Sequence, residues 1–183
     1  HDSKMTLVNC LIAGNSANHQ AGGVLSAYNS SRTSIINCTI TGNKAPFAGG
    51  IFYNTTPTII KNSIVWGNST QIEGYHDENL SINHSLIQGL NPAGTGNLDG
   101  TLAASNPQFF SPTNFSSAPT LAGDYHLGAL SPAINIGDNT ANVIITDLDG
   151  NNRIFGTIID MGAYERSCEI QLSFKPICIQ GNP

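Results

Sequence analysis

One eleven-residue phrase is written three times and then a fourth time in degraded form. It reads MTLVNCLIAGN at 5–15, TSIINCTITGN at 33–43, TIIKNSIVWGN at 58–68 and LSINHSLIQG at 80–89. Aligned on Gly14, Gly42, Gly67 and Gly89, the copies are spaced by 28, 25 and 22 residues. A second signature, AGGV at 21–24 and AGGI at 48–51, recurs 27 residues apart. A fixed period of this size marks a repeat architecture, in which no unit buries its apolar face alone and each must stack on the next.

The first aligned column holds Leu7, Ile35, Ile60 and Ile82, and the sixth holds Ile12, Ile40, Val65 and Ile87. Five residues apart on one flat strand, the two columns would point to opposite faces. Both reach a common core only if the chain bends between them, at the Asn–Cys or Asn–Ser pair. Asn tolerates unusual backbone angles and satisfies nearby backbone groups with its amide. Stacked at the strand spacing of about 4.8 Å, Asn9, Asn37 and Asn62 are expected to form a hydrogen-bonded ladder, with His84 substituting in the fourth copy. The Gly-Asn and Gly-Gly corners supply the other bends. The units are short, β-branched and free of a helical period, so the fold class is all-β, a parallel β-helix over residues 1–90.

The repeat then stops. Residues 91–165 are expected to form an irregular loop and the last coils of the same domain. Short strands at Asp124–Leu127, Ile134–Ile136, Val143–Ile145 and Ile158–Tyr164 would close the open end of the solenoid as a β-rich C-terminal cap. Residues 166–183 read as a linker or the start of a following module, and a chain opening on His1 reads as a piece of a longer protein.

Composition excludes several partners. Charged residues make up only 10% of the 183, and seven Lys and Arg against twelve Asp and Glu leave a net charge of −5. That is no footprint for nucleic acid or anionic lipid, and no apolar run reaches the length of a membrane span.

Two stretches carry candidate binding chemistry. In DLDGNNR, the oxygens of Asp147, Asp149 and Asn151 alternate ahead of a turn, as a calcium loop begins. Ile158 stands where the bidentate Glu belongs, and Asp-Gly is equally a hairpin turn. Arg153 would pair with Asp147 or Asp160. Trp66, one place past the inward Val65, should face outward. With Tyr53, Phe52 and Tyr75 it would make an aromatic platform for sugar rings; the alternative is that Trp66 packs under a loop. Polysaccharide cleavage requires a base and a charge stabiliser, or two carboxylates across one groove. The rung columns offer only Lys61, so no catalytic residue is assigned and whether the chain is an enzyme stays open, with non-catalysis favoured.

The NCxIxGN rungs with GG[VI] resemble the right-handed parallel β-helix repeats of bacterial surface proteins and of polymorphic outer-membrane proteins. More specifically, NPQF…GDYHL…SPAINIGD…TDLDGNNR…IDMGAYE, over about 58–165, resembles the C-terminal segment of choice-of-anchor Q domain proteins. The resemblance implies a pectate-lyase-like right-handed solenoid on an exported protein, extracellular or at the bacterial surface. The expected function is a monomeric, non-catalytic scaffold for adhesion or glycan binding, with polysaccharide the expected partner. The alternatives are the C-terminal end of a polysaccharide lyase or hydrolase whose catalytic coils lie upstream, and a stalk with no ligand. In an exported protein Cys168 and Cys178 are candidates for a disulfide, whereas Cys10 and Cys38 read as packed thiols.

Overall fold

The computed structural model describes residues 4–27, 32–89 and 93–167. Each copy of the phrase forms two strands joined by one left-handed residue, and a third strand completes the coil. The first coil holds β1 (Lys4–Val8), β2 (Leu11–Ala13) and β3 (Val24–Ser26). The second holds β4 (Arg32–Ile36), β5 (Thr39–Thr41) and β6 (Ile51–Tyr53). The third holds β7 (Thr58–Lys61), β8 (Ile64–Trp66) and β9 (Ile72–Gly74). A partial coil, β10 (Leu80–Asn83) and β11 (Leu86–Ile87), and a last strand β12 (Leu98–Asp99) follow. The three sheets run β1-β4-β7-β10, β2-β5-β8-β11-β12 and β3-β6-β9, and every pairing in them is parallel. The chain is therefore a parallel β-solenoid of about three turns, with no α-helix among the described residues.

The register is that of the aligned columns. Leu7 pairs with Ile35, Ile35 with Ile60 and Ile60 with Ile82; Ile12, Ile40, Val65 and Ile87 align likewise. Between them Asn9, Asn37, Asn62 and His84 take φ of 55°, 51°, 48° and 45°. One residue in the left-handed region turns an extended chain sharply, and Asn is among the few side chains that tolerate it. That turn brings both columns inside, where Ile35, Ile40, Ile60, Val65 and Ile87 are fully buried; each contributes about 1.5–3 kcal/mol. The Gly-Gly corner answers to a different constraint, the close approach of one coil's backbone to the next. A Cβ on Gly50 would stand 2.3 Å from the Gln71 carbonyl oxygen, and one on Gly23 2.5 Å from that of Gly50.

Within the second half, residues 95–100 stack on the last coil: His84 N–H donates to Thr95 O (2.8 Å) and Leu98 N–H to Ser85 O (2.9 Å). The strands expected to close that end do not; the rest of the second half lies along the outer face of the second sheet, and the reason is apolar. The outward residues Leu11, Ala13, Ile64, Trp66, Leu86 and Leu98 need cover, and Phe109, Tyr125, Leu127, Ala133 and Met161 provide it as a second core. The flank spans several coils. Thr120 N–H donates to Gly14 O (2.9 Å) on the first, Ala163 N–H to Thr39 Oγ1 (3.0 Å) on the second and Gly162 N–H to Asn62 O (2.8 Å) on the third. Among the described residues its paired strands are β13 (Phe109–Ser111) and β14 (Asp124–Leu127), which are antiparallel. The other expected strands, at 134–136, 143–145 and 158–164, are turns and irregular chain. Ile134, Ile136, Met161 and Tyr164 pack on a face already built rather than extending a sheet, while Val143, Ile145 and Ile158 are exposed. Cys168, Cys178 and the remainder of the expected linker at 168–183 lie outside the described residues.

Candidate functional site

Trp66 stands on the outer face of β8, half-buried. Its indole N–H donates to Gly100 O (3.2 Å), and its ring meets Phe109 edge-on at 6.1 Å. Phe109 in turn meets Tyr125 at 5.6 Å, and the Tyr125 hydroxyl bonds Thr113 Oγ1 at 2.7 Å. This chain of contacts fixes the segment 112–115 across from the solenoid. Between them runs a groove of ≈ 360 Å³ lined by Trp66, Asn68, Gln71, Gln88, Thr113 and Phe115, among others. Asn114 Oδ1 accepts the Ser116 N–H (2.9 Å) and so caps the short turn that carries Phe115.

The amides in the groove wall are held in place. Gln71 Oε1 accepts from Asn68 N (3.1 Å) and Asn68 Nδ2 (2.9 Å), while its Nε2 donates to Asn68 O (3.0 Å). Gln88 Oε1 accepts the Gly67 N–H (2.8 Å). Asn68 is itself the end of a ladder. Asn15 Nδ2 donates to Asn43 Oδ1 (2.9 Å) and Asn43 Nδ2 to Asn68 Oδ1 (3.0 Å), with the backbone N–H of each donating to the same oxygen. Sequence reasoning put the ladder one corner too early. In the expected column Asn62 Nδ2 donates to Asn37 Oδ1 (3.1 Å), but Asn37 Nδ2 turns to Asn142 Oδ1 (2.9 Å) on the flank. Asn9 Oδ1 is buried without a partner.

Tyr53 and Tyr75 do not share this groove. Both belong to the third-sheet side, where the Tyr53 hydroxyl donates to Asp77 Oδ1. Burial, with Asp77 beside it, pushes Tyr53 up to about 12. Tyr75 stacks on Phe47 at 6.2 Å and meets Phe52 edge-on at 6.0 Å. A cavity of ≈ 460 Å³ there is lined by Tyr53, Ile72, Glu73, Asp77 and Leu80, among others. The expected four-residue platform is thus divided between two faces, with Trp66 on one and Phe52, Tyr53 and Tyr75 on the other.

The DLDG stretch folds as a turn. Asp147 Oδ1 accepts the N–H groups of Asp149 (3.0 Å) and Asn151 (2.8 Å), and Oδ2 accepts that of Glu165 (3.0 Å). N–H donors facing both oxygens are the reverse of what a cation needs. Asp149 Oδ2 meets His126 Nε2 at 2.6 Å instead, and the other ring nitrogen meets Asp124 Oδ1 at 2.5 Å. Burial lowers the His126 pKa, but the two carboxylates outweigh it and hold the net value above normal. The hydrogen bonds from His126 hold Asp124 below the usual carboxylate range. No group of three or more His, Cys, Asp or Glu among the described residues is arranged to hold a metal ion.

Arg153 is 1% exposed and pairs with neither expected partner's carboxylate. It approaches Glu165 Oε2 (3.5 Å), and its Nη2 donates to the carbonyls of Asp160 (3.1 Å) and Gly162 (2.5 Å). Asp160 accepts the N–H groups of Asn135 (2.7 Å) and Arg166 (2.8 Å), and Glu165 those of Phe155 (3.0 Å) and Asp160 (3.1 Å). Three buried carboxylates therefore do for this irregular chain what strand pairing does for the coils.

Burial, reinforced by Asp160, pushes Glu165 up to about 7 from its ordinary 4.5. A carboxyl raised on folding binds more protons in the folded state. Its contribution is complete below 4.5 and is lost as pH rises through about 7. Thermal melts across that window should show wild type losing stability with rising pH more steeply than Glu165→Gln. Parallel curves would remove Glu165 as the titrating group.

No protein-family model matches the chain, and no curated protein matches it. No helix among the described residues is long and apolar enough to cross a membrane. What the geometry defines is a parallel β-solenoid with a flank packed on one sheet and a groove between the two.

Proposed function

We propose that this chain is a glycan-binding module of an exported bacterial surface protein, a right-handed β-helix of the pectate-lyase-like kind that presents the Trp66 groove to polysaccharide. One observation carries the reading. A groove holds two aromatic side chains, Trp66 and Phe115, beside rigid amides and a hydroxyl. Sugar rings offer an apolar face for aromatic contact and hydroxyls for hydrogen bonds, and pre-set amides bind them without an ordering cost. Export and surface location rest on the resemblance of the NPQF…AYE segment alone. The module acts as a monomer with no nucleic-acid partner, consistent with its net charge of −5. Binding rather than cleavage fits the groove, because none of its lining side chains ionises to serve as acid, base or nucleophile.

The test is a glycan panel screened against wild type, Phe115→Ala and Gln88→Ala, with a thermal melt of each variant as the control for fold. Binding by wild type, weakened about tenfold or more in both variants, is the expected result. Failure of wild type to bind any glycan removes the reading and leaves a stalk. Release of reducing ends from any polysaccharide would favour a cleaving enzyme instead.

A further inference from the structure

We infer that the Trp66 groove takes uncharged pyranose chains and rejects uronic-acid and sulfated ones. This deepens the glycan reading and rests on it. The argument is an inventory of what faces the ligand. The groove's polar side chains are Asn68, Gln71, Gln88, Thr113 and Asn114, and among the described residues no Lys, Arg or His lines it. A carboxylate entering it would give up part of its water for amides and a hydroxyl, with no cation to pair with, and an unpaired charge that loses water is disfavoured.

Part of the amide inventory is already committed within the wall. Gln71 spends its oxygen and its nitrogen on Asn68, and Gln88 gives its oxygen to Gly67. Gln88 Nε2 has no partner among the described residues and is the donor best placed to meet a sugar hydroxyl or ring oxygen. The described cations, Lys4, Arg32, Lys44, Lys61, Arg153 and Arg166, are not among the groove's lining residues; Arg153 is fully buried and Arg166 donates to Leu127 O. The net charge of −5 adds a long-range repulsion of polyanions at low salt.

At the lower end of the ~300–1,000 Å³ range of ligand sites, the groove's ≈ 360 Å³ suits a short stretch of a chain. Trp66 and Phe115 supply apolar contact and set no demand for charge. An uncharged sugar satisfies both, since its hydroxyls exchange water for amides at little cost.

The experiment titrates neutral gluco-, galacto- and manno-oligosaccharides and oligogalacturonate of matched length into wild type, Phe115→Ala and Gln88→Lys, at low and high salt. A neutral chain should bind with no salt dependence, lose affinity in Phe115→Ala, and exceed oligogalacturonate by about 10- to 100-fold. Gln88→Lys should narrow that gap by raising oligogalacturonate affinity at low salt. Oligogalacturonate binding as tightly as the neutral chains, and lost in Phe115→Ala, would overturn this inference while leaving the glycan reading intact. Binding of neutral chains that Phe115→Ala does not weaken would move the site off this groove and overturn the inference. No binding of either class would remove the glycan reading with it.

Discussion

Arg153→Met is expected to destabilise the protein by about 3–5 kcal/mol, the cost of leaving buried charge without its partner. Asp147, Asp160 and Glu165 are 4%, 1% and 5% exposed, and Arg153 is the one buried cation among them. Removing it also strips the carbonyls of Asp160 and Gly162 of their shared donor. Methionine matches the length of the side chain but supplies neither charge nor donor. The damage should be local at first, because the carboxylates organise 143–166 while the coils are held by their own strand pairing. Trp66, the single tryptophan, packs at the seam between the two and reports on it by fluorescence. Urea unfolding followed by Trp66 fluorescence should therefore shift to lower denaturant than unfolding followed by circular dichroism of the sheets. A loss below about 1 kcal/mol would mean the guanidinium is dispensable, and coincident transitions would mean flank and coils unfold as one. Arg153→Met with Glu165→Gln should recover part of the loss, since one of the stranded charges goes with the arginine.

The coils could be read in advance for a simple reason. In a stacked solenoid each unit pairs only with the next, so aligning Leu7 with Ile35, Ile60 and Ile82 on paper aligns them in space. The bend at Asn9, Asn37, Asn62 and His84 followed from the same columns, because five residues separate two apolar positions that share one core. The flank had no such rule. Ile134 and Ile136 look like strand residues in the sequence, yet they pack onto the outward face of Ile64 and Leu86. Apolar letters alone do not say whether they serve a sheet or a cover. Carboxylates that cap backbone N–H groups have no period either, and DLDG announces oxygens without saying whether N–H groups or a cation will face them. Of the groove, Trp66 was legible as an outward aromatic. Gln88 stands in the same column of the next copy and stacks beside it, whereas Phe115 was not legible, because it meets Trp66 only through the folding of 109–125 back across β8. His126 was missed in GDYHL for the same reason: its partner Asp149 lies 23 residues away.

The ladder makes the most exacting test of how the coils are held. Asn43→Leu is expected to cost about 3 kcal/mol or more, from two or three buried hydrogen bonds lost at once. Asn43 is fully buried, accepts from Asn15 N and Nδ2 and donates to Ile12 O (2.9 Å) and Asn68 Oδ1. Leucine has the right volume but leaves the Ile12 carbonyl without this donor. Asn43→Asp should be worse still: one oxygen can serve Asn15, but the other would face the oxygens of Ile12 and Asn68 as a buried charge. Asn15→Ala, by contrast, removes only the exposed end of the ladder and should cost about 1 kcal/mol or less. The ordering Asp, then Leu at position 43, then Ala at 15 is the prediction, read from urea midpoints at fixed pH. Equal effects of Asn43→Leu and Asn15→Ala would show that the side-chain ladder adds little to what the strands already provide. If the ordering holds, the groove should feel it as well, because Asn68 and Gln71 in its wall are the last members of that ladder. Asn43→Leu should then weaken any ligand held at Trp66 at temperatures where the protein is still folded.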